Sequence, residues 1–530
     1  MAIPTEQSFL TASQNDDDCT RTKNEMKVDR SSSSLSYIIG TILVGLVTLS
    51  FLYAGGTTTT TTTTPYSSYY GSGEAEIDLF RSNTIGEFVG TNEMGMGEGE
   101  GVIPKLKHLI HHIHHKLFKK KHKHHKAKAG AAYTLSNNDS ANELIVFARD
   151  GVTGVLSFSH AVSMHGRGVD LSPIAKRGSD PLKSQDPLIV DATGTCIIGV
   201  NAGSHTVATL KINNAQDPTD VSFVATYDSG GVFPVSVLDG ERGVIYVLNA
   251  GENGSIQAFQ LNTHGCTLTS FELGPAFHSL PEQQTGLVGE TKPVDRGPSD
   301  MLISQDKNIL YVIMKSANNI TPATPGSGRL IKYDIKTGTS NVAPVPGVVV
   351  PYAMVMNEDG IILLANAGGG SLTTTGGVVV AITPSNSVSS KDTFHTDTFL
   401  PTGFRATCWI RYSSKKSNGC SYVTNAGPIE FGGATITAFR STGTQLEVMA
   451  PNPADTITSP LDLFFSPDER FLYVVSTGYQ PSADKTQQQP SIHGYEINTT
   501  NCGLIPVTTI EEGLPTLGTN PNSIAGIVVV

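Results

Sequence analysis

Four stretches of this chain finish in the same way. Val200-Asn-Ala-Gly203, Leu248-Asn-Ala-Gly251, Ala365-Asn-Ala-Gly368 and Tyr422-Val-Thr-Asn-Ala-Gly427 each close an apolar, β-rich run, and a second short strand follows. A unit repeated at this spacing cannot bury its apolar face alone. It has to stack on its neighbours, which restricts the chain to a solenoid, a propeller or a similar array.

Aligning the units separates them. Each opens with an apolar strand, turns through polar residues and returns as a second strand. The openings are Pro187, Pro234, Pro298, Pro351, Thr407 and Pro460. The last unit is the clearest, with Ser466-Pro-Asp-Glu469 as its turn: the proline presets φ and the aspartate bonds its own backbone. Third strands are expected at Thr206–Ile212, Ser255–Leu261, Gly328–Tyr333, Gly377–Ile382, Thr435–Phe439 and Ser491–Ile497, and fourth strands after them, as at Phe223–Tyr227 and Leu268–Leu273. With 54 Gly, 29 Pro and only 16% charged residues, the composition suits many short strands and turns. The ends supply a seventh unit. Residues 521–530 read as a first strand with nothing after it, while Ala132–Ser136, Glu143–Ala148 and Val155–Ser159 read as strands lacking a first. Pairing the two ends closes a ring and leaves no first strand unpaired. The expectation is an all-β, seven-bladed β-propeller over residues 131–530, with the Asn of each Asn-Ala-Gly capping a turn.

The Tyr-Val-Thr-Asn repeat and the Ser-Pro-Asp-Glu-Arg-Phe-Leu-Tyr-Val turn resemble those of the lactonase-type seven-bladed propellers, which include 6-phosphogluconolactonase-like proteins and carboxymuconate cyclases. Tyr133-Thr-Leu-Ser-Asn-Asn138, Val146-Phe-Ala-Arg-Asp150, Ala406-Thr-Cys-Trp409 and Lys332-Tyr-Asp334 are similar to members described as 3-carboxymuconate cyclase-like. The resemblance implies the fold over nearly all of residues 131–530 and lactone or cyclic-acid chemistry as one function. It implies a His with Arg or Glu in the central cleft. No His-Pro-type motif stands at the blade entrances here, so no catalytic residue is carried over.

Residues 1–34 are polar, with Asp16-Asp-Asp18 and a serine run, and read as a disordered tail. Residues 35–54 hold no charge and are long enough to cross a bilayer as a helix. The polar region before them is too long for an ordinary signal peptide, which favours an uncleaved anchor. Arg21, Lys23, Lys27 and Arg30 precede the span and no Lys or Arg follows until Arg81, so the positive-inside rule predicts a single-pass type II protein with its propeller lumenal or extracellular. Residues 55–102 are a Thr-rich, then acidic, linker. Residues 103–128 are basic, with nine Lys and eight His between Lys105 and Lys128. Leu106, Leu109, Ile110, Ile113 and Leu117 fall on one helical face. This segment reads as a solvated linker, or as an attachment to an anionic surface or polysaccharide. The pairs His108/His112 and His111/His115 have a spacing that shares a metal, though no carboxylate or Cys lies within the segment.

Ligands of propellers sit over the channel, on connections between second and third strands and between blades. Gln185, Asp186, His205, Arg296, His395 and Arg405 are placed there by the repeat. Two arginines hold a carboxylate or phosphate, and a histidine serves as a base toward a lactone. The alternative is that Arg296 and Arg405 pair with Asp295, Asp300 or Asp462, and that His205 is a satisfied loop residue. No P-loop, Cys-x-x-Cys or His-Glu-x-x-His motif is present, no cofactor is called for, and a net charge of −11 gives no support for nucleic acid as a partner. Cys196 and Cys420 share one repeat position, and Cys266 and Cys502 another one blade on. That symmetry suggests Cys196–Cys266 and Cys420–Cys502, with Cys408–Cys420 as the rival. Sequons stand at Asn138, Asn253, Asn319 and Asn498. The leading expectation is a membrane-anchored module that binds a glycan, protein or anionic surface; the alternative is a lactonase or carboxymuconate-cyclase-like enzyme on a small molecule in the channel.

Overall fold

The computed structural model describes residues 130–530 except 170–181, 241, 253, 272–278, 281–296, 316–327, 369–375, 385–393, 415–417, 428–433, 450–456, 479–488 and 516–523. The expected anchor, linker and basic segment, with His108, His111, His112 and His115, lie outside these residues. Among the described residues no helix is long and apolar enough to cross a membrane.

The described chain is built from 28 strands in seven antiparallel four-stranded sheets. Blade 1 is β4 (Leu188–Val190), β5 (Cys196–Asn201), β6 (Thr206–Ile212) and β7 (Val221–Asp228). Blade 2 is β8 (Pro234–Asp239), β9 (Val244–Asn249), β10 (Ser255–Asn262) and β11 (Thr267–Phe271). Blade 3 is β12 (Pro298–Ile303), β13 (Ile309–Met314), β14 (Arg329–Asp334) and β15 (Ser340–Pro344). Blade 4 is β16 (Pro351–Met356), β17 (Ile362–Asn366), β18 (Val378–Thr383) and β19 (His395–Pro401). Blade 5 is β20 (Thr407–Arg411), β21 (Ser421–Asn425), β22 (Thr435–Thr442) and β23 (Gln445–Val448). Blade 6 is β24 (Pro460–Phe465), β25 (Phe471–Ser476), β26 (Ser491–Asn498) and β27 (Gly503–Ile510). Blade 7 joins the ends: β28 (Ala525–Val529) pairs with β1 (Gly130–Leu135), followed by β2 (Glu143–Arg149) and β3 (Leu156–Ser163).

The first strands touch one another in the cyclic order β28, β4, β8, β12, β16, β20, β24 and back to β28, so they ring a central channel. Second strands such as β5, β13 and β25 are buried at every residue, whereas the outermost β19 alternates exposed and half-buried. A strand between two neighbours in a blade packed between two blades has both faces covered, while an outermost strand keeps a wet edge.

The Asn-Ala-Gly motif ties each second strand to the connection entering its own blade. Asn249 Nδ2 donates to Ser229 O at 2.9 Å, and Asn201 Nδ2 donates to Met164 O at 3.1 Å. Asn366 Oδ1 accepts from Val350 N at 2.8 Å, and Asn425 Oδ1 accepts from the Thr407 hydroxyl at 2.6 Å. All four asparagines are fully buried. The glycine lets that connection pass: a Cβ on Gly203 would lie 1.9 Å from Gly168 O, and one on Gly427 2.9 Å from Arg405 Cβ.

Neighbouring blades are latched at their flanks. The tyrosine in the second strand donates to the turn between third and fourth strands of the next blade: Tyr473 to Gly154 O at 2.7 Å, Tyr133 to Pro218 O at 2.5 Å and Tyr422 to Cys502 O at 3.1 Å. Burial pushes the Tyr473 hydroxyl up to about 12, so it stays a donor. Disulfides bridge two of the blade boundaries. Cys196 is bonded to Cys266 across blades 1 and 2, and Cys420 to Cys502 across blades 5 and 6. Cys408 is buried on β20 and belongs to neither bond, and the Cys408–Cys420 alternative does not form.

Candidate functional site

The channel is not empty. Residues 182–186, entering blade 1, cross it. The Ser184 hydroxyl donates to Val235 O on β8 at 2.7 Å, and Val237 N donates to Asp186 O at 2.8 Å. Gln185 N donates to Ser299 O on β12 at 3.1 Å. From β20, Trp409 Nε1 donates to Ser184 O at 2.9 Å and Ile410 N to Gln185 Oε1 at 3.0 Å. Lys315 Nζ, beyond β13, donates to Lys183 O at 2.6 Å. β8 and β20 stand three places apart in a ring of seven, so the segment spans the bore. Lys183 and Asp186 both take left-handed backbone angles, φ 58° and φ 56°. Such angles are uncommon outside glycine and turn the chain sharply at either end of the crossing.

The crossing satisfies a geometric need. Each first strand has a sheet edge facing the channel, and its inward N–H groups need acceptors. Gln185 Oε1 and Asp186 O supply two of them. Asp300 on β12 supplies a third, accepting from Met354 N of the next blade at 2.8 Å and from Met301 N at 2.8 Å. Asp462 on β24 accepts from Leu463 N at 2.9 Å.

Arg411, the last residue of β20, collects the carboxylates. Its Nη1 donates to Asp186 Oδ2 at 3.0 Å and its Nη2 to Asp186 Oδ1, forming a bidentate pair. Nη2 also donates to Asp462 Oδ1 at 3.1 Å, and Nε to Leu463 O at 2.8 Å. The guanidinium lies over the Phe464 ring, 5.0 Å from its centroid. Burial pushes the Asp462 carboxyl up to about 7, against the pull of Arg411. Burial, then the charge of Asp186, raises Asp300 well above the usual carboxylate range. The cluster is open at one edge: the Asp186 side chain keeps 21% of its exposure and Arg411 11%, while Asp462 keeps 2%. In such a pair the carboxylate can take a proton from water while the guanidinium steadies a developing oxyanion.

Of the residues chosen from sequence, Gln185 and Asp186 fall in this cluster. His205 lies on the connection after β5 in a left-handed conformation, and its Nδ1 accepts Phe233 N at 3.1 Å. That bond puts the proton of the neutral ring on Nε2. Arg405 lies on the connection into blade 5, where Gly427 N donates to its carbonyl at 3.3 Å. The partner of Asp462 is Arg411, not Arg405. His395 requires a correction: it opens the outermost strand β19, 79% exposed and paired with Asp397 at 3.3 Å, far out on the blade rather than at the channel. The alternation along Thr396–Pro401 belongs to a rim strand. Arg296 lies outside the described residues. Among the described residues no group of His, Cys, Asp and Glu has the geometry to hold a metal. The residue missed from sequence is Arg411. Its signal was a lone cation in an apolar first strand, matched by lone carboxylates at Asp300 and Asp462 in two others.

No family model matches the chain, and no curated protein matches it. Solved structures do. A candidate 6-phosphogluconolactonase of Bacteroides uniformis superposes with a TM-score of 0.50 at 13% identity, over 76% of this chain and 100% of that one. The chain has the fold of the lactonase-type seven-bladed propellers. A hypothetical selenium-binding protein of Sulfolobus tokodaii gives a TM-score of 0.50 at 11% identity, over 77% of this chain and 94% of that one. A periplasmic gluconolactonase of Pseudomonas aeruginosa gives 0.48 at 14%, over 76% and 98%. At these identities the lactonase-type likeness carries the architecture alone, and the chemistry has to come from the channel.

Proposed function

We propose that this lactonase-type propeller is an enzyme of lactone chemistry, opening the cyclic ester of a hydroxy acid with water. The observation that carries the reading is the Asp186–Arg411–Asp462 cluster: a buried carboxyl pushed up to about 7, sharing one guanidinium with Asp186, which keeps 21% of its exposure. Asp462 takes a proton from the attacking water as its oxygen bonds to the lactone carbonyl carbon. Four N–H groups of Arg411 are engaged, and the remaining Nη1 N–H is available to the carbonyl oxygen as it gains charge. The ring C–O bond then breaks, and the proton on Asp462 passes to the departing ring oxygen. Asp186 holds the guanidinium plane. The test is a screen of five- and six-membered lactones with the purified chain beside Asp462→Asn. Turnover above the spontaneous rate, lost in a variant that still unfolds cooperatively, supports the reading; turnover that the variant retains rejects it.

The second reading, a module binding a glycan, protein or anionic surface, is favoured by the crossing segment, which runs through the bore and hydrogen-bonds to β8, β12 and β20. Ligand contact would then fall on the connections between blades. For either reading we propose that the propeller stands outside the cytosol on a single-pass anchor at residues 35–54. Two inter-blade disulfides support this, since such bonds persist in oxidising compartments. Of the sequons, Asn498 lies exposed at the end of β26 and Asn138 half-exposed before β2, while Asn253 and Asn319 lie outside the described residues. Treating the cell-derived protein with an N-glycosidase tests this; an unchanged mobility on a gel rejects a glycosylated, lumenal propeller.

A further inference from the structure

We infer that Cys420–Cys502 is a redox-labile bond, opened by a dithiol while Cys196–Cys266 stays closed, which makes the boundary between blades 5 and 6 a thiol-operated switch. The inference stands apart from the lactone reading. The two bridges occupy equivalent places in their blades, so each is a control for the other. All four cysteines are fully buried, and Cys266 and Cys502 both take left-handed backbone angles, φ 52° and φ 58°. What differs is the charge around the sulfurs. Arg440 Nη2 lies 4.0 Å from Cys420 Sγ, with Thr499 O also at 4.0 Å. Cys196 Sγ has Thr263 O at 3.4 Å, and Cys266 Sγ has Thr195 O at 3.8 Å and Thr263 O at 3.9 Å. Lys211 pairs with Cys196 across β5 and β6, but its ammonium is turned to His264 O at 2.9 Å. Glu447 stands opposite Arg440 in the β22–β23 pairing, and no ion pair joins them among the described residues. A guanidinium favours a thiolate beside it, and carbonyl oxygens oppose one. A leaving thiol departs faster as its thiolate gains stability.

One thiolate of the dithiol therefore attacks Cys502 Sγ, the S–S bond breaks, and Cys420 leaves as a thiolate beside Arg440. The second thiol attacks the mixed disulfide and releases Cys502. The dithiol ends as a cyclic disulfide, and its two protons pass to the two cysteines. The boundary outlasts the bond: Arg440 Nη2 donates to Thr499 O at 3.0 Å and Thr500 O at 3.2 Å, and the Tyr422 hydroxyl to Cys502 O at 3.1 Å. It is also the boundary that Arg411 crosses to reach Asp462, so opening the bond loosens the support of that pair.

The experiment treats the purified full chain with dithiothreitol at neutral pH, alkylates the thiols at intervals and follows each cysteine by peptide mass mapping. Cys420 and Cys502 should open about tenfold faster than Cys196 and Cys266. Arg440→Gln should bring the two rates within about threefold of each other, while Arg440→Lys, which keeps the charge, should retain most of the preference. A side chain acting only as a clamp on the turn predicts the opposite sign, since its loss frees the turn and speeds opening at Cys420. In denaturing urea the preference should vanish, because it belongs to the folded arrangement. Equal opening of both bridges, earlier opening of Cys196–Cys266, or a preference that survives Arg440→Gln overturns the inference, as does one that persists in urea.

Discussion

Removing the Cys196–Cys266 bridge tests whether blades 1 and 2 are held together as the latch geometry requires. The bond closes a loop of 70 residues. In the chain-entropy model a loop of that size takes about 15 cal/mol/K from the unfolded ensemble, or about 4.4 kcal/mol at 25 °C. Unfolding entropy near 60 °C is about 2.1 cal/mol/K per residue, or roughly 0.8 kcal/mol/K for a propeller of about 400 residues, so the loss corresponds to about 5 °C in Tm. The assay is differential scanning calorimetry of a Cys196→Ser/Cys266→Ser variant at neutral pH without reductant. Cys196→Ser alone should fall as far as the double variant, because one thiol cannot bridge. The Cys420–Cys502 bridge spans 82 residues, so the same arithmetic gives about 4.5 kcal/mol for its loss. The two sites are three blade boundaries apart by the shorter way round the ring, and their effects should add. A Tm change below about 1 °C, or a reductant that leaves the parent protein unmoved, would refute the cross-blade latch.

Further outcomes follow from burial and close approach. Asp462 keeps its proton to about 7 in the fold, against 3.8 for the free group, so the folded state binds the extra proton and stability falls as pH rises between those values. The Tm of Asp462→Asn relative to the parent should therefore climb from pH 4 to pH 7; a constant difference contradicts the burial argument. His493 works the other way. Burial pulls it down to about 4 from 6.5, and its stability contribution is lost as pH falls across that window, so His493→Gln should blunt acid sensitivity in a melting series. Gly203→Ala places a methyl 1.9 Å from the Gly168 carbonyl oxygen, in backbone that cannot swing away. It should cost about 2 kcal/mol or more. Gly194→Ala, with open space around it and only a positive φ to strain, should cost about 1 kcal/mol in the same denaturant titration.

Much of this molecule was readable from residue order because repetition makes local chemistry speak for global position. The strand at Thr206–Ile212 falls on β6, and the end strand at residues 521–530 contains β28. The closure of the ring by the two termini follows from counting strands that lack partners. The asparagines were legible as caps, since a buried Asn ending an apolar strand needs acceptors and donors nearby. Their target, the connection entering each blade, was not legible, because that contact spans dozens of residues. The rim position of His395 shows the limit: a residue opening a fourth strand and one on a channel connection look alike until the strand order is known.

The residues and their period determined an all-β ring of seven sheets and which flanks meet. These are consequences of alternation and repeat spacing, and each repeat carries them separately. Only the tertiary structure decided what fills the channel. Residues 182–186 reach β8, β12 and β20 at once, and Asp186 meets Arg411 across 225 positions of chain. Such contacts depend on seven edges converging on one axis, where inward N–H groups and buried charges must find partners from whichever segment lies within reach. No single repeat contains that requirement.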